Sequence, residues 1–354
     1  MMMTRMDPTS TQPDIVDAPA LPGLTFRRAT DADWAALAGI LNRDRTHDGI
    51  NEVLTADSMA VDYVHFEMFQ LERDVLIAEI DGQPVAYGMG IITPRDGGLV
   101  LELWGAVDPG YARRGIGTAL LRANGARLAG EAARDPAPGQ RWLRSFALEQ
   151  ETGKNALLEA EGFTRIRSGF EMRRPLTGAL PEFALPEGLE LRPVTPDQHR
   201  VILDADNEAF RDHWGHREMT EGDIIARFAN VDTDTSLWCV AWDGDEVAGS
   251  VINMVFRDEN EQLGIRRGWL DHVTVRRAWR GRGLAKALCA ASFRILREQG
   301  LDEAWLGVDA SNATGALQLY EGLGFGVARR WHAFGRPVDE PATEGWLPEG
   351  QDPE

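Results

Sequence analysis

The sequence predicts a mixed α/β fold built from two similar domains in tandem, each with a central sheet flanked by helices. The chain has 354 residues, which at about 150 residues per domain corresponds to two domains. Several segments of the first half recur in the second half. Within each half, strand-like runs alternate with segments of helical periodicity. Hydrophobic residues make up 43% of the chain and charged residues 26%, as in ordinary folded proteins.

Four segments recur in the same order in the two halves, which indicates a duplicated domain. The pairs are residues 24–30 and 189–195, Asp81-Gly82 and Asp243-Gly244, residues 107–117 and 275–285, and Gly162-Phe163 and Gly324-Phe325. We therefore expect one domain over residues 24–175 and a second over 189–337. A proline-bearing linker, 176–188, joins them. The ends, residues 1–23 and 338–354, lack periodicity and are predicted to be a disordered leader and an acidic disordered tail.

The elements of the second half follow in order from the same patterns. Strands over 237–242 and 247–255 flank an Asp-Gly turn, as in a hairpin. One helix, which ends near Gly300, carries Leu284, Leu288, Ser292, Ile295 and Leu296 on one face. A strand over 269–275 precedes this helix, and a buried strand over 304–308 and a short helix over 313–322 follow it.

Composition excludes several classes of function. The 56 acidic and 37 basic residues give a formal charge of −19, which disfavours binding to nucleic acid. Two cysteines are too few for a disulfide framework or a Cys-based zinc site. The chain has no apolar run of about 18 to 20 residues and no secretory signal. We expect a cytoplasmic monomer, its two domains packed together, with no metal, membrane or nucleic-acid partner.

A glycine loop follows the strand 269–275. Its residues are Arg280-Gly281-Arg282-Gly283-Leu284-Ala285-Lys286. Glycines let a phosphate approach the backbone, and a helix N-terminus offers unpaired N–H groups to an anion. The loop matches neither a P-loop nor a dinucleotide-binding fingerprint, but it fits a pyrophosphate cradle of the form [RQ]-x-x-G-x-[GA]. An ordinary turn that begins a helix is the alternative.

The glycine loop and a second segment together resemble the two signatures of the GCN5-related N-acetyltransferase (GNAT) family. The second segment is residues 312–325, Asn-Ala-Thr-Gly-Ala-Leu-Gln-Leu-Tyr-Glu-Gly-Leu-Gly-Phe. The resemblance covers residues 24–337, and the tandem arrangement is similar to that of the mycothiol synthases. It implies acetyl transfer from acetyl-CoA, a co-substrate, to the amine of a small molecule by direct attack in a ternary complex.

The resemblance also implies roles for individual residues. The backbone of Val273, Thr274 and Val275 would pair with the pantetheine amides, and Asn312 would lie near the CoA arm. Tyr320 would protonate the leaving thiolate; the alternative is an aromatic residue of the core. The residues that would hold the pyrophosphate are Arg280, Gly281, Arg282, Gly283, Leu284, Ala285 and Lys286.

The two signatures specify the general base and the acceptor site less closely than the cofactor site. Asp271 is the candidate base, because strand alternation places it on the face of Val273 and Val275; a surface carboxylate is the alternative. His272 would point to the opposite face and is the weaker candidate. An acceptor-lining role is predicted for His213, Trp214 and His216, with a loop packed by Trp214 as the alternative.

The two halves differ at the positions that carry chemistry. Leu158 stands where the second half has Tyr320, Gln150 where it has Asn312, and Ala112 where it has Arg280. The first half keeps a second possible cofactor site, Arg113, Arg114, Gly115 and Gly117. The second half is therefore predicted to be catalytic and the first to be a degenerate copy. Two alternatives stay open: a mycothiol synthase proper, and a non-catalytic acyl-CoA-binding regulatory module.

Overall fold

The computed structural model describes residues 15–64, 69–95, 98–135, 139–211, 213–214, 217–311 and 315–338. The strands are β1 (Leu24–Arg28), β2 (Val75–Ile80), β3 (Gln83–Arg95), β4 (Gly98–Val107), β5 (Gln140–Leu148), β6 (Thr164–Pro175), β7 (Glu190–Arg192), β8 (Cys239–Asp243), β9 (Glu246–Met254), β10 (Arg267–Val275), β11 (Glu303–Asp309) and β12 (Gly326–Pro337). The helices are α1 (Trp34–His47), α2 (Ala56–Val64), α3 (Leu71–Asp74), α4 (Ile116–Ala132), α5 (Thr152–Ala160), α6 (His199–Phe210), α7 (Glu221–Ala229), α8 (Arg257–Leu263), α9 (Leu284–Glu298) and α10 (Ala316–Gly322).

The twelve strands of the described residues form one mixed sheet, in the order β1-β2-β3-β4-β5-β12-β6-β11-β10-β9-β8-β7. In each half, consecutive strands pair antiparallel up to the fourth, and the fourth pairs parallel with the fifth. This confirms the mixed α/β class and the internal duplication. We call strands β1–β6 with their helices the N-half, and β7–β12 with theirs the C-half.

The two halves exchange their last strands, which the repeat did not predict. β12 lies beside β5 of the N-half, with Phe334 opposite Ser145. β6 lies beside β11 of the C-half, with Phe170 opposite Val308. β6 and β12 then pair with each other at the centre. Each half therefore completes its sheet with a strand whose sequence belongs to the other.

The apolar cores follow the same exchange. Phe334 of β12 is fully buried in an N-half cluster with Leu101, Leu143 and Phe163. Met172 of β6 belongs to the C-half cluster, where α9 packs Leu288 and other apolar residues against the sheet. The predicted helix is confirmed as α9, which is buried at Leu284, at Leu296 and throughout residues 287–293. The predicted short helix begins at Ala316, and Ala313 and Thr314 lie outside the described residues.

The linker and the chain ends can be compared with the predicted boundaries only in part. Residues 176–189 form neither helix nor strand, but Leu180 and Leu185 pack against the C-half core. The predicted leader is described from residue 15 onward, where Ile15 and Leu21 pack beside Ile116. Of the predicted tail, only Val338 is described, at the edge of the N-half core. None of the described helices is long and apolar enough to cross a membrane.

Candidate active site

The paired strands β10 and β11 separate at the centre of the C-half. Their parallel pairing runs from Arg267 opposite Glu303 to Trp269 opposite Trp305 and then stops. A cavity of about 450 Å³ opens between the diverging strands, lined by residues 270–275 of β10 and Gly307, Val308 and Asp309 of β11. Strand edges carry backbone groups that need hydrogen-bond partners. An extended ligand with amide groups can supply them along β10.

The glycine loop forms one end of this cavity. Gly281 and Gly283 adopt φ values of +74° and +84°, in the left-handed region that glycine enters without steric cost. Gly283 is also the N-cap residue of α9, immediately before its first residue, Leu284. The first N–H groups of a helix have no acceptor within it, so the amides of Leu284, Ala285 and Lys286 are oriented for an anion.

The three cations of the loop are placed differently. Arg280 is tied to the protein: its Nε donates to the carbonyl of Val275 at 3.0 Å and its Nη2 to that of Ala209 at 3.2 Å. Arg282 and Lys286 are exposed, and the Lys286 ammonium lies 5.9 Å from the ring centre of Phe183. Arg280 thus fixes the loop to β10 and α6, while Arg282 and Lys286 are accessible to a phosphate.

Tyr320 lies on α10 and lines the same cavity. It is 7% exposed and packs edge-on against Phe325, with ring centres 5.9 Å apart. Burial, with a further contribution from Cys289, raises the pKa of Tyr320 above its ordinary value. The phenol therefore carries its proton at neutral pH, as a proton donor must.

A β-bulge at Asp271 corrects the strand alternation used for the sequence prediction. The register against β9 shifts between Leu270 and His272, so Asp271 is an extra residue. Its carboxylate does not share the face of Val273, because it lies 3.5 Å from Arg227 of α7 and 3.7 Å from His272 Nε2. Asp271 still lines the cavity, from the side covered by α6 and α7.

His272 forms a short hydrogen bond with a buried acid that sequence reasoning missed. Its Nδ1 lies 2.5 Å from Oδ2 of Asp206 on α6, and Asp206 is 1% exposed. Burial lowers the pKa of His272, but the carboxylates of Asp206 and Asp271 outweigh this and raise the pKa above its ordinary value. Asp206 falls on the apolar face of α6 beside Ile202 and Ala209. An acidic residue on an apolar helix face was the feature of the sequence that could have revealed this buried acid.

The residues predicted to line the acceptor site lie in different surroundings. His213 lines the cavity, and its ring lies 4.4 Å from that of Phe210. Trp214 instead packs the loop, with the guanidinium groups of Arg144 and Arg167 at 5.3 and 5.5 Å from its ring. Two other predicted site residues, His216 and Asn312, lie outside the described residues.

Arg167 connects the N-half to the wall of the C-half cavity. It stands on β6, and its Nε donates to Asp309 Oδ2 at 2.7 Å, where Asp309 lines the cavity. The exchange of β6 makes this contact possible, since β6 pairs directly with β11. Neither residue was predicted, because the strand repeat does not reveal which strands pair.

The N-half contains a smaller version of the same site. β4 and β5 also separate, after Glu102 opposite Arg144, and a cavity of about 350 Å³ reaches the loop of Arg113, Gly115 and Gly117. Arg113 adopts a φ of +61°, where the C-half has Gly281. Leu158 lines this cavity at the position of Tyr320 and is 1% exposed. The loop is retained, and the phenol is not.

No group of three or more His, Cys, Asp or Glu side chains suited to a metal occurs in the described part of the chain.

Comparisons with known proteins agree with this geometry. The sequence model for the Acetyltransferase (GNAT) family matches residues 200–325, and that for an Acetyltransferase (GNAT) domain matches residues 72–165. The chain is 35% identical over 258 residues to a mycothiol acetyltransferase of Salinispora tropica, covering 72% of this chain and 77% of the relative.

Solved structures show the same tandem architecture. A GCN5-related N-acetyltransferase from Sphaerobacter thermophilus superposes with a TM-score of 0.69 at 25% identity, covering 93% of this chain and 97% of its own. A tandem GNAT protein from the clavulanic acid biosynthesis pathway superposes with a TM-score of 0.63 at 17% identity, covering 90% and 99%. The chain is an acyltransferase, and it belongs to the GCN5-related N-acetyltransferase family as a tandem-domain member.

Proposed function

We propose that the protein is an acetyl-CoA-dependent N-acetyltransferase that acts on a small-molecule primary amine, with the C-half as the catalytic half. The observation that carries this proposal is one cavity in which the free edge of β10, the glycine loop and Tyr320 meet. In the N-half cavity, Leu158 replaces the phenol. The acidic character of the chain, with a formal charge of −19, suits a cationic acceptor.

Each part of the cavity has a role in acetyl transfer. When bound, acetyl-CoA supplies the activated acetyl thioester. The backbone of Val273, Thr274 and Val275 would pair with the amides of its pantetheine arm, and the loop amides would hold its pyrophosphate. A backbone N–H of β10 would stabilise the oxyanion of the tetrahedral intermediate. Tyr320 would donate its proton to the leaving thiolate.

A mycothiol-type acceptor is a narrower candidate for the same reaction. The observation in its favour is the 35% identity to a relative named mycothiol acetyltransferase, over 72% of this chain. The cavity wall that would meet such an acceptor includes Asp271, His213 and Asp309. Carboxylates in this wall suit an ammonium group of any small acceptor.

A thiol-release assay with acetyl-CoA and a panel of amines tests the proposal. We expect CoA to be released only when an amine is present, with one N-acetylated product formed per thiol. The panel includes the acceptor of the mycothiol acetyltransferases, so that the narrower candidate is tested directly. Tight binding of CoA without turnover of any amine would instead support a non-catalytic acyl-CoA-binding module.

A further inference from the structure

We infer that His272 is the general base for the acceptor amine and that buried Asp206 is the positioning residue that holds its ring. This inference rests on the proposed function, because the proton that the base removes belongs to the acceptor amine of that reaction. It replaces Asp271 as the proton acceptor and gives that carboxylate a different role.

The hydrogen bond between the two residues fixes the chemistry of the imidazole. Asp206 Oδ2 lies 2.5 Å from Nδ1 of His272. An ionised carboxylate only accepts hydrogen bonds, so Nδ1 carries the hydrogen, and in the neutral ring Nε2 keeps its lone pair. Asp206 Oδ1 is buried and has no hydrogen-bond partner among the described residues. The carboxylate is therefore committed to His272, and it also stabilises the imidazolium once that forms.

The location of His272 suits proton removal from an acceptor. The residue lines the same cavity as Tyr320 and Val273. Its ring rests against Phe210, with centres 4.9 Å apart, and its side chain is 27% exposed. The proton that it takes can therefore pass to solvent between turnovers.

Asp271 is better suited to holding the ammonium group than to taking its proton. Its Oδ2 lies 3.5 Å from the guanidinium of Arg227, so this carboxylate already takes part in a charge pair beside the cavity. The same oxygen lies 3.7 Å from His272 Nε2. At hydrogen-bond distances of about 2.9 Å, one ammonium group can contact both atoms.

Charged groups near His272 come from three elements: Asp206 lies on α6, Asp271 on the same strand and Arg227 on α7. Asp309 of β11 lines the same cavity, and β9 places the apolar Ile252 opposite His272. The two nearest carboxylates raise the pKa of His272 against the effects of burial and Arg227. Activity should therefore rise with pH as the imidazolium loses its proton, with a midpoint above the ordinary histidine value.

The proton balance of the transfer is complete with these groups. His272 Nε2 takes one proton from the ammonium, and the neutral nitrogen attacks the thioester carbonyl. The C–N bond forms and the C–S bond breaks, while Tyr320 gives its proton to the sulfur. The second proton of the attacking nitrogen restores the phenol. The products are an amide, CoA thiol and one proton that leaves from His272.

The test is the pH dependence of kcat/KM for the amine in four variants, compared with the unchanged protein. Asp206→Asn should lower kcat at least about tenfold and move the acid limb to lower pH by about one pH unit. His272→Gln should lower kcat about 100-fold and remove this limb. Asp271→Asn should mainly raise the KM for the amine. Asp204→Asn, an exposed neighbour on α6, should change neither the rate nor the limb.

Thermal melting and CoA binding show that each variant is folded. An acid limb that stays in place in Asp206→Asn, or that persists in His272→Gln, overturns the inference. Loss of the limb in Asp271→Asn, with His272→Gln still active, assigns the base to Asp271. Failure of the unchanged protein to acetylate any amine would instead contradict the proposed function itself, so the two failures are distinguishable.

Discussion

Arg167 and Asp309 form an ion pair between the two halves of the chain, with Nε 2.7 Å from Oδ2. Arg167 belongs to the last strand of the N-half, and Asp309 lines the cavity of the C-half. The Arg167 side chain is 7% exposed and also packs against Trp214. A residue of the N-half thus pairs with a residue in the wall of the candidate active site.

Replacing Arg167 by alanine should be costly, because Asp309 then keeps a half-buried charge without the cation that pairs with it. We expect a loss of about 3 kcal/mol in the free energy of unfolding and a higher KM for the amine, measured by urea denaturation and steady-state kinetics. The matched control is Arg165→Ala on the same strand, whose pair with Glu159 is exposed and should contribute less than about 1 kcal/mol. Equal losses in the two variants would contradict the structural role of Arg167.

Tyr320→Phe tests the proton donor while the packing of the ring is kept. We expect kcat to fall about 100-fold with little change in either KM, because only the hydroxyl is removed from a ring that stays against Phe325. The measurement is steady-state kinetics with saturating acetyl-CoA. A variant with unchanged kcat would exclude Tyr320 as the donor and leave it as an aromatic residue of the core.

Charge reversal in the two glycine loops distinguishes the halves. Arg282 and Arg114 occupy equivalent positions, and both are exposed. Because charge-assisted hydrogen bonds contribute about 1.5 kcal/mol or more, Arg282→Glu should raise the KM for acetyl-CoA at least about tenfold. Arg114→Glu should leave the KM unchanged when the C-half alone is catalytic. The reverse result would show that the halves have been assigned the wrong way round.

Phe334→Ala tests the strand exchange. Phe334 belongs to the C-half by sequence but is fully buried in the N-half core, so its truncation should cost about 3 to 5 kcal/mol. Hydrogen exchange should accelerate in β5 and α5 of the N-half. The control, Phe293→Ala in the C-half core, should cost a similar amount but accelerate exchange in α9 and β10. Faster exchange confined to the C-half after both changes would contradict the exchanged topology.

The partly buried carboxyl group of Asp44 should make the stability of the protein depend on pH. Burial, with contributions from Asp48 and Glu151, raises the pKa of Asp44 from 3.8 to about 6. Between these values the folded state binds more protons than the unfolded state, so stability falls as pH rises through the window and stays lower above it. Asp44→Asn should therefore raise the melting temperature at pH 8 and have little effect below pH 4, measured by thermal melting. Asp57→Asn, at an exposed position, removes the same charge and should not reproduce the gain.

The sequence by itself determined the fold class of each half and the order of the elements around the glycine loop. Strand and helix periodicity located β10, α9 and β11, because these elements bury regular apolar faces. The repeat of the glycine loop, with Tyr320 matched by Leu158, predicted both the duplication and the asymmetry between the halves. These features depend on local pattern and on the comparison of one half with the other.

Only the tertiary structure decided how the two copies are joined and which groups meet in the cavity. The exchange of β6 and β12 depends on strand pairing over long sequence separations, which a repeat does not encode. The bulge at Asp271 interrupts the alternation from which its face was predicted. Asp206 and His272 are 66 residues apart in the chain and meet only because α6 packs on β10. Local patterns determine which face of an element is buried, whereas packing determines what that face contacts.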